Sequence, residues 1–138
     1  GNGAQHSQSL EAILVHIPGI RVIMPSNAFD AKGLLLHAIR DNNPVVFIEH
    51  KALYKIKCEV PEEPYECNYT CNIKREGKDV TIVSYSAMVN KALNAAEELA
   101  GEGVDAEVID VRSLEPFDSE TIINSVKKTG RMVVIHEA

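Results

Sequence analysis

The sequence predicts an α/β chain made of parallel-sheet units from two adjacent half-domains, and three observations lead there. Helix-period and strand-period stretches alternate in residues 9–48 and again in residues 80–135. The second stretch reads β-α-β-α-β, an order that calls for parallel strands joined by right-handed crossovers. Between the two lies a segment with Pro61, Pro64 and a cluster of glutamates, without sustained periodicity, which reads as a connector.

In the first stretch, Ser9 to His16 has the pattern of a short helix, stopped by Pro18-Gly19. Arg21 to Met24 (RVIM) is a strand closed by Pro25. Ser26 or Asn27 can cap the next helix, with Asp30 in its first turn, where a carboxylate meets unpaired N–H groups. Ala28, Ala31, Leu34, Leu35, Ala38 and Ile39 supply that helix's apolar face. Asp41-Asn42-Asn43-Pro44 ends it. Val45 to Ile48 is a continuous apolar run, as expected of a strand buried on both faces.

Residues 51 to about 78 are expected to cross between the units. Val80 to Tyr85 (VTIVSY) then reads as a strand. Ala87 to Ala100 reads as a helix with Val89, Ala92, Leu93, Ala96, Leu99 and Ala100 on one face. Gly101 and Gly103 supply its left-handed stop. Glu107 to Val111 is the next strand. Asp118 caps a helix with Glu120 early and Lys127-Lys128 late, both matched to the helix dipole. Gly130 closes it, and Met132 to Ile135 is the last strand.

Of the 138 residues, 45% are hydrophobic and 25% charged, the balance of a soluble globular chain rather than a disordered or fibrous one. Apolar runs fall far short of the roughly 20 residues that cross a bilayer. The net charge of -6 is uneven. Residues 1–78 hold nine acids and nine bases, and residues 79–138 hold eleven acids and five bases. There is no basic stripe and no Trp, so nucleic-acid and membrane partners are not expected. Three cysteines, Cys58, Cys67 and Cys71, fall in the connector and read as reduced thiols. A zinc site completed by His50 is the sharper alternative, but the chain has no C-x-x-C pair.

The residues that carry chemistry begin with Gly3-Ala4-Gln5-His6-Ser7-Gln8-Ser9. This run sets His6 in a polar loop just ahead of a helix N-terminus, whose positive end lowers an imidazole's pKa and favours anions. A neutral histidine there can donate to a carboxylate or shuttle a proton. A histidine that merely bonds its own loop is the plain alternative.

Those residues also carry a resemblance. GAQHSQSLEA, HIPGIRVIMPSNAFDAKGLL, AIRDNNPVVFIEH and VIDVRSLEPFDSETIINSVKKTGRMVVIHEA resemble, in the same order, the beta subunit of thiamine-diphosphate-dependent 2-oxoacid dehydrogenases, pyruvate and branched-chain. The likeness covers nearly the whole chain and weakens over residues 55–75. It implies residues 1–55 of a pyrimidine-type thiamine-diphosphate-binding domain, a connector at 56–72, and residues 73–138 of a transketolase C-terminal-like domain. It implies an oxidative decarboxylation with acyl transfer to lipoamide, and an alpha subunit as partner in a heterotetramer. A lipoyl acyltransferase core and a small 2-oxo acid complete the implied partners, in bacterial cytoplasm or the mitochondrial matrix.

Carried over, the catalytic histidine falls on His6. The turn from Ala38 to Pro44 resembles one that holds a structural potassium ion, assigned to Ala38, Ile39, Asp41 and Asn43. The physics agrees: carbonyls of a helix's last turn lack intrahelical donors, and Asp41 adds a carboxylate to an all-oxygen site. A capped helix end is the plain alternative. Two parts of the family's cofactor site are missing. The activating glutamate is expected upstream of Gly1, and the magnesium and diphosphate motif on the partner subunit. The chain alone is therefore expected to be inactive. Two rivals remain open: acetoin dehydrogenase or another transketolase-like thiamine enzyme, and a non-catalytic assembly module. Nothing accounts for the three cysteines.

Overall fold

A computed structural model describes residues 3–5 and 7–137. Among them the chain forms two small sheets with helices packed against them. The first unit contains α1 (Glu11–Val15), β1 (Arg21–Ile23), α2 (Ala28–Arg40) and β2 (Val45–Phe47). The second contains β3 (Asn72–Arg75), β4 (Val80–Ser84), α3 (Met88–Gly101), β5 (Ala106–Asp110), β6 (Ser113–Glu115), α4 (Ser119–Thr129) and β7 (Met132–Ile135).

The parallel pairings expected from the alternation are present. β1 runs parallel to β2, with Val22 opposite Val46. β4 runs parallel to both β5 and β7, with Ile82 opposite Val108 and Val133. Both sheets are nonetheless mixed, because each gains one antiparallel edge strand. The orders are β2-β1-β6 and β3-β5-β4-β7, and β6 and β3 are the antiparallel members.

Neither added strand carries a sequence signal. β3 (NIKR) lies inside the segment read as a connector, and a short 3-10 helix, Lys51–Lys55, forms there too. β3 has a single apolar residue, and its place comes from a free strand edge and two ion pairs. Lys74 reaches Asp30 at 2.8 Å, and Arg75 reaches Asp105 at 2.9 Å. β6 follows β5 yet pairs with β1, so a segment of the second stretch completes the sheet of the first.

The core follows strand alternation. Ile82 and Val108 point to the face covered by α3, where they meet Ala92, Ala96 and Ala106. Val83 and Ile109 point the other way, to Val111 and Ile122 under α4. The caps lie where expected. Asn27 accepts from the Asp30 N–H at 2.9 Å, Asp118 accepts from Thr121 at 3.1 Å, and Gly130 turns left-handed at φ 71°.

Three expectations need correction. β2 is half-buried rather than enclosed on both faces, since it forms a sheet edge. On α2 only Leu34 of the apolar face is fully buried, while Leu35 is 42% and Ile39 71% exposed. A three-stranded sheet is too narrow to cover a stripe that wide. Gly101 is the last residue of α3, and Gly103 alone makes the left-handed turn, at φ 85°.

Candidate functional site

His6 lies outside the described residues. The chain that continues from it does not, and its first helix docks in an unusual way. Of the five residues in α1, only Glu11 is buried, at 6% exposed. Its carboxylate accepts the Ser9 hydroxyl at 2.7 and 2.8 Å and the Tyr85 hydroxyl at 2.9 Å. Tyr85 follows β4, and its ring stacks on His136 beyond β7, with centroids 6.1 Å apart. Burial alone would raise the Glu11 pKa, but the hydrogen bonds from Ser9 and Tyr85 outweigh it and hold the carboxyl below its usual range. The Tyr85 phenol is pushed up by burial and by its bond to Glu11. The start of α1 is thus seated on the C-terminal ends of β4 and β7, where ligands gather in open parallel sheets.

The second candidate region is the end of α2. Ala38 and Ile39 occupy the last turn, and the Ala38 carbonyl accepts the Asp41 N–H at 3.2 Å. Asp41 folds over the turn, where its Oδ1 accepts from the Asn43 backbone N–H at 2.9 Å and from Asn43 Nδ2 at 2.7 Å. Those two bonds hold its carboxyl below the usual range. Its other oxygen lies 3.9 Å from Arg21 Nε. A hollow of about 420 Å³ opens here, lined by Arg21, Arg40, Asp41, Asn43 and Tyr69 among others. The Tyr69 hydroxyl is buried near Asp41 without reaching hydrogen-bond geometry, and burial beside that charge pushes it up to about 12. The four residues assigned from sequence are therefore together. The capped-turn arrangement is formed, with Asp41 bonding the backbone and side chain of Asn43.

A third cluster was not anticipated. Asp30 was read as a helix-dipole partner, yet it is fully buried and pairs with Arg112 at 2.8 Å and Lys74 at 2.8 Å. Arg112 sits at φ 59°, a left-handed conformation that a side chain this large rarely adopts. It also donates to the Thr70 carbonyl at 2.6 and 2.9 Å. Beside it, the Ser26 hydroxyl donates to Asp110, which is fully buried and has one oxygen without a partner. Burial pushes the Asp110 carboxyl up to about 6 against the Ser26 bond. These residues tie the first unit to the second. The one signal in the sequence is Asp110 itself, an acid at the end of the buried strand EVID.

The other polar candidates are engaged locally. His50 sits 2.9 Å from Glu137 and accepts from the Ala52 N–H, so its ring is taken up outside any cysteine cluster. His37 lies 3.1 Å from Glu66 and edge-on to Tyr69. Cys58 is exposed, and Cys67 and Cys71 are half-buried. Burial, then Asp118, pushes the Cys71 thiol up to about 12, which leaves it a poor nucleophile. Among the described residues no three His, Cys, Asp or Glu side chains converge as metal ligands, and no helix is long and apolar enough to cross a membrane.

Mixed sheets flanked by helices, with polar groups gathered at strand ends, set the class as α/β. The chain belongs to the transketolase C-terminal domain family, which residues 70–138 match, and residues 2–57 match the transketolase pyrimidine binding domain. It is 54% identical over 136 residues to the beta subunit of the acetoin:2,6-dichlorophenolindophenol oxidoreductase of Cupriavidus necator. That match takes in 98% of this chain and 40% of the relative. It is 52% identical to the pyruvate dehydrogenase E1 component subunit beta of Bacillus subtilis, over 96% of this chain and 42% of that one. The chain thus spans about two fifths of the length of the curated relatives it matches. A split-gene transketolase, solved as an inactive beta4 tetramer, superposes at a TM-score of 0.77 with 30% identity, over 92% of this chain and 42% of that one. A transketolase from Pichia stipitis shares the fold at 0.66 with 16% identity, over 91% and 19%.

Proposed function

We propose that this chain is the beta-subunit portion of a thiamine-diphosphate-dependent 2-oxoacid dehydrogenase, with His6 as its catalytic group. The observation that carries this reading is identity of 50–54% to pyruvate and acetoin dehydrogenase beta subunits over 96–98% of the chain. Residues 1–55 then contribute to the pyrimidine-type domain, 56–72 connect, and 73–138 contribute to the C-terminal domain. Residues 113–115 cross back to the first sheet. Bound thiamine diphosphate supplies the electron sink for decarboxylation. The resemblance assigns the magnesium and diphosphate motif to the alpha subunit. His6 donates or accepts a proton at the substrate carbonyl oxygen, or steadies its charge, as acyl transfer to the lipoyl group of an acyltransferase proceeds. The helix-end carbonyls of Ala38 and Ile39, with Asp41 and Asn43, hold a potassium ion. The compartment is bacterial cytoplasm or the mitochondrial matrix.

The test is the full-length subunit assembled with its alpha partner. His6→Ala should lower lipoamide acylation about a hundredfold to ten-thousandfold, the usual worth of a general acid or base, with assembly intact. Turnover within a few-fold of the parent would remove His6 from the mechanism. The likeness to the acetoin enzyme favours a second reading, in which acetoin replaces the 2-oxo acid. Turnover of acetoin but not pyruvate by the same assembly would select it. For potassium, melts of the chain in potassium should exceed those in lithium at equal ionic strength, and Asp41→Ala should remove the difference. Equal melts of the folded chain in both salts would rule the ion out.

A further inference from the structure

α1 is too short to hold itself in place. Five residues make little more than one turn, and isolated helices below roughly 12–15 residues are marginal in water. Its apolar side chains anchor it only in part, since Leu14 is half-buried while Leu10 is 52%, Ile13 62% and Val15 37% exposed. No side chain caps its N-terminus. Its one fully buried side chain is the Glu11 carboxylate, held by one hydroxyl from its own segment and one from Tyr85 of the second unit. Tyr85 is itself wedged against His136 at the end of a neighbouring strand.

This brace stands close to His6 along the chain. His6 lies three positions before Ser9, a contour of at most about 11 Å, so whatever fixes Ser9 limits where the imidazole can go. We infer that Glu11 and Tyr85 are positioning residues for His6, through which the second unit holds the loop that carries the proposed catalytic histidine. The inference rests on the reading of His6 given above. It goes beyond it by assigning the second unit a part in the chemistry. Removing the phenol hydroxyl leaves the ring and its stacking in place but frees one side of the carboxylate. The lowered pKa of Glu11 fits the same arrangement, because an ionised carboxylate accepts both hydroxyls at neutral pH.

Two measurements test this. In the first, the chain carries ¹⁵N-histidine, and His6→Ala identifies the His6 ring signals. Tyr85→Phe should shift or broaden those signals and leave those of His37 unchanged; His136 will move because it touches the ring, and His50 can follow through Glu137. Glu11→Gln, which keeps one acceptor oxygen, should have a smaller effect. Unmoved His6 signals in a folded Tyr85→Phe chain would overturn the brace whatever His6 does. The second measurement uses the full-length subunit assembled with its partner. Tyr85→Phe should lower kcat about tenfold to a hundredfold with KM little changed, as small misplacements of reacting groups do. In a His6→Ala background it should cost nothing further. The same loss in both backgrounds would mean that Tyr85 acts without His6, and the positioning role would be wrong. If His6→Ala alone changes nothing, the catalytic reading fails, while the ring signals still decide the brace.

Discussion

The two units bury their cores differently. In the second, α3 and α4 cover opposite faces of one sheet, and two apolar clusters alternate along β4 and β5. In the first, Val22, Ile23, Met24 and Leu34 are buried, but β2 is half-covered and much of α2's apolar stripe is exposed. What the first unit lacks in apolar cover is offset by a polar junction, with Asp30, Ser26 and Glu11 bonded to Arg112, Lys74, Asp110 and Tyr85 across the boundary. A unit held this way depends on its neighbour for its own order. Its neighbour carries two apolar clusters of its own. Buried ion pairs contribute little net stability when intact, yet leave an uncompensated charge when one partner is lost.

The largest effect expected from that contrast is at Asp30. Asp30→Ala strands the buried Arg112 guanidinium and should cost about 3–5 kcal/mol, as broken buried pairs do. The loss should be local, with hydrogen-exchange protection falling in β1 and α2 and persisting in β4 and β5. Equal loss in all four elements would break the contrast and make the chain one cooperative unit. Ile109→Ala tests the opposite case. Ile109 is fully buried in the second unit's core, and its truncation should cost about 2–5 kcal/mol. Protection should then fall in both units, because the first has nothing firm left to lean on. Protection retained by β1 and α2 would show that the first unit does not depend on the second.

Asp110 sharpens the comparison through pH. Its carboxyl rises from 3.8 to about 6 on folding, so the folded state holds the proton more tightly than the unfolded chain. The ionised form therefore costs stability: the penalty is absent below about 3.8, grows as pH rises through 6, and stays constant above. A rise of that size corresponds to about 3 kcal/mol. Asp110→Asn keeps the shape without the charge. Relative to the parent it should gain stability between pH 4 and pH 8, measured by denaturant titration. A parallel pH dependence in the two proteins would clear Asp110 of any such role. The smallest effect is expected at Ile39. With 71% of its surface exposed, Ile39→Lys should change stability by less than about 0.5 kcal/mol. A loss above about 2 kcal/mol would mean that α2 packs its outer face and that the first unit is well covered.

The sequence by itself determined the elements with strong local signals. Asn27, Asp118 and Gly130 were legible as caps because capping is a property of a few adjacent residues. Period-2 and period-3.6 apolar patterns located β1, β4, β5, β7, α2 and α3, and the order β-α-β-α-β fixed the parallel pairing. The roles proposed for His6 and for the turn from Ala38 to Asn43 come from the resemblance of the strings around them. Tertiary structure alone decided the rest. β3 and β6 have too few apolar residues to announce a strand, and they exist because another strand's edge offers hydrogen bonds. The exposure of Ile39 and the half-burial of β2 depend on how wide the covering sheet is, which no local pattern encodes. The pairing of Glu11 with Tyr85 and of Asp30 with Arg112 joins residues 74 and 82 positions apart. A charge's partner at that distance is fixed by burial, which makes leaving it unpaired costly, and burial is known only once the chain has folded.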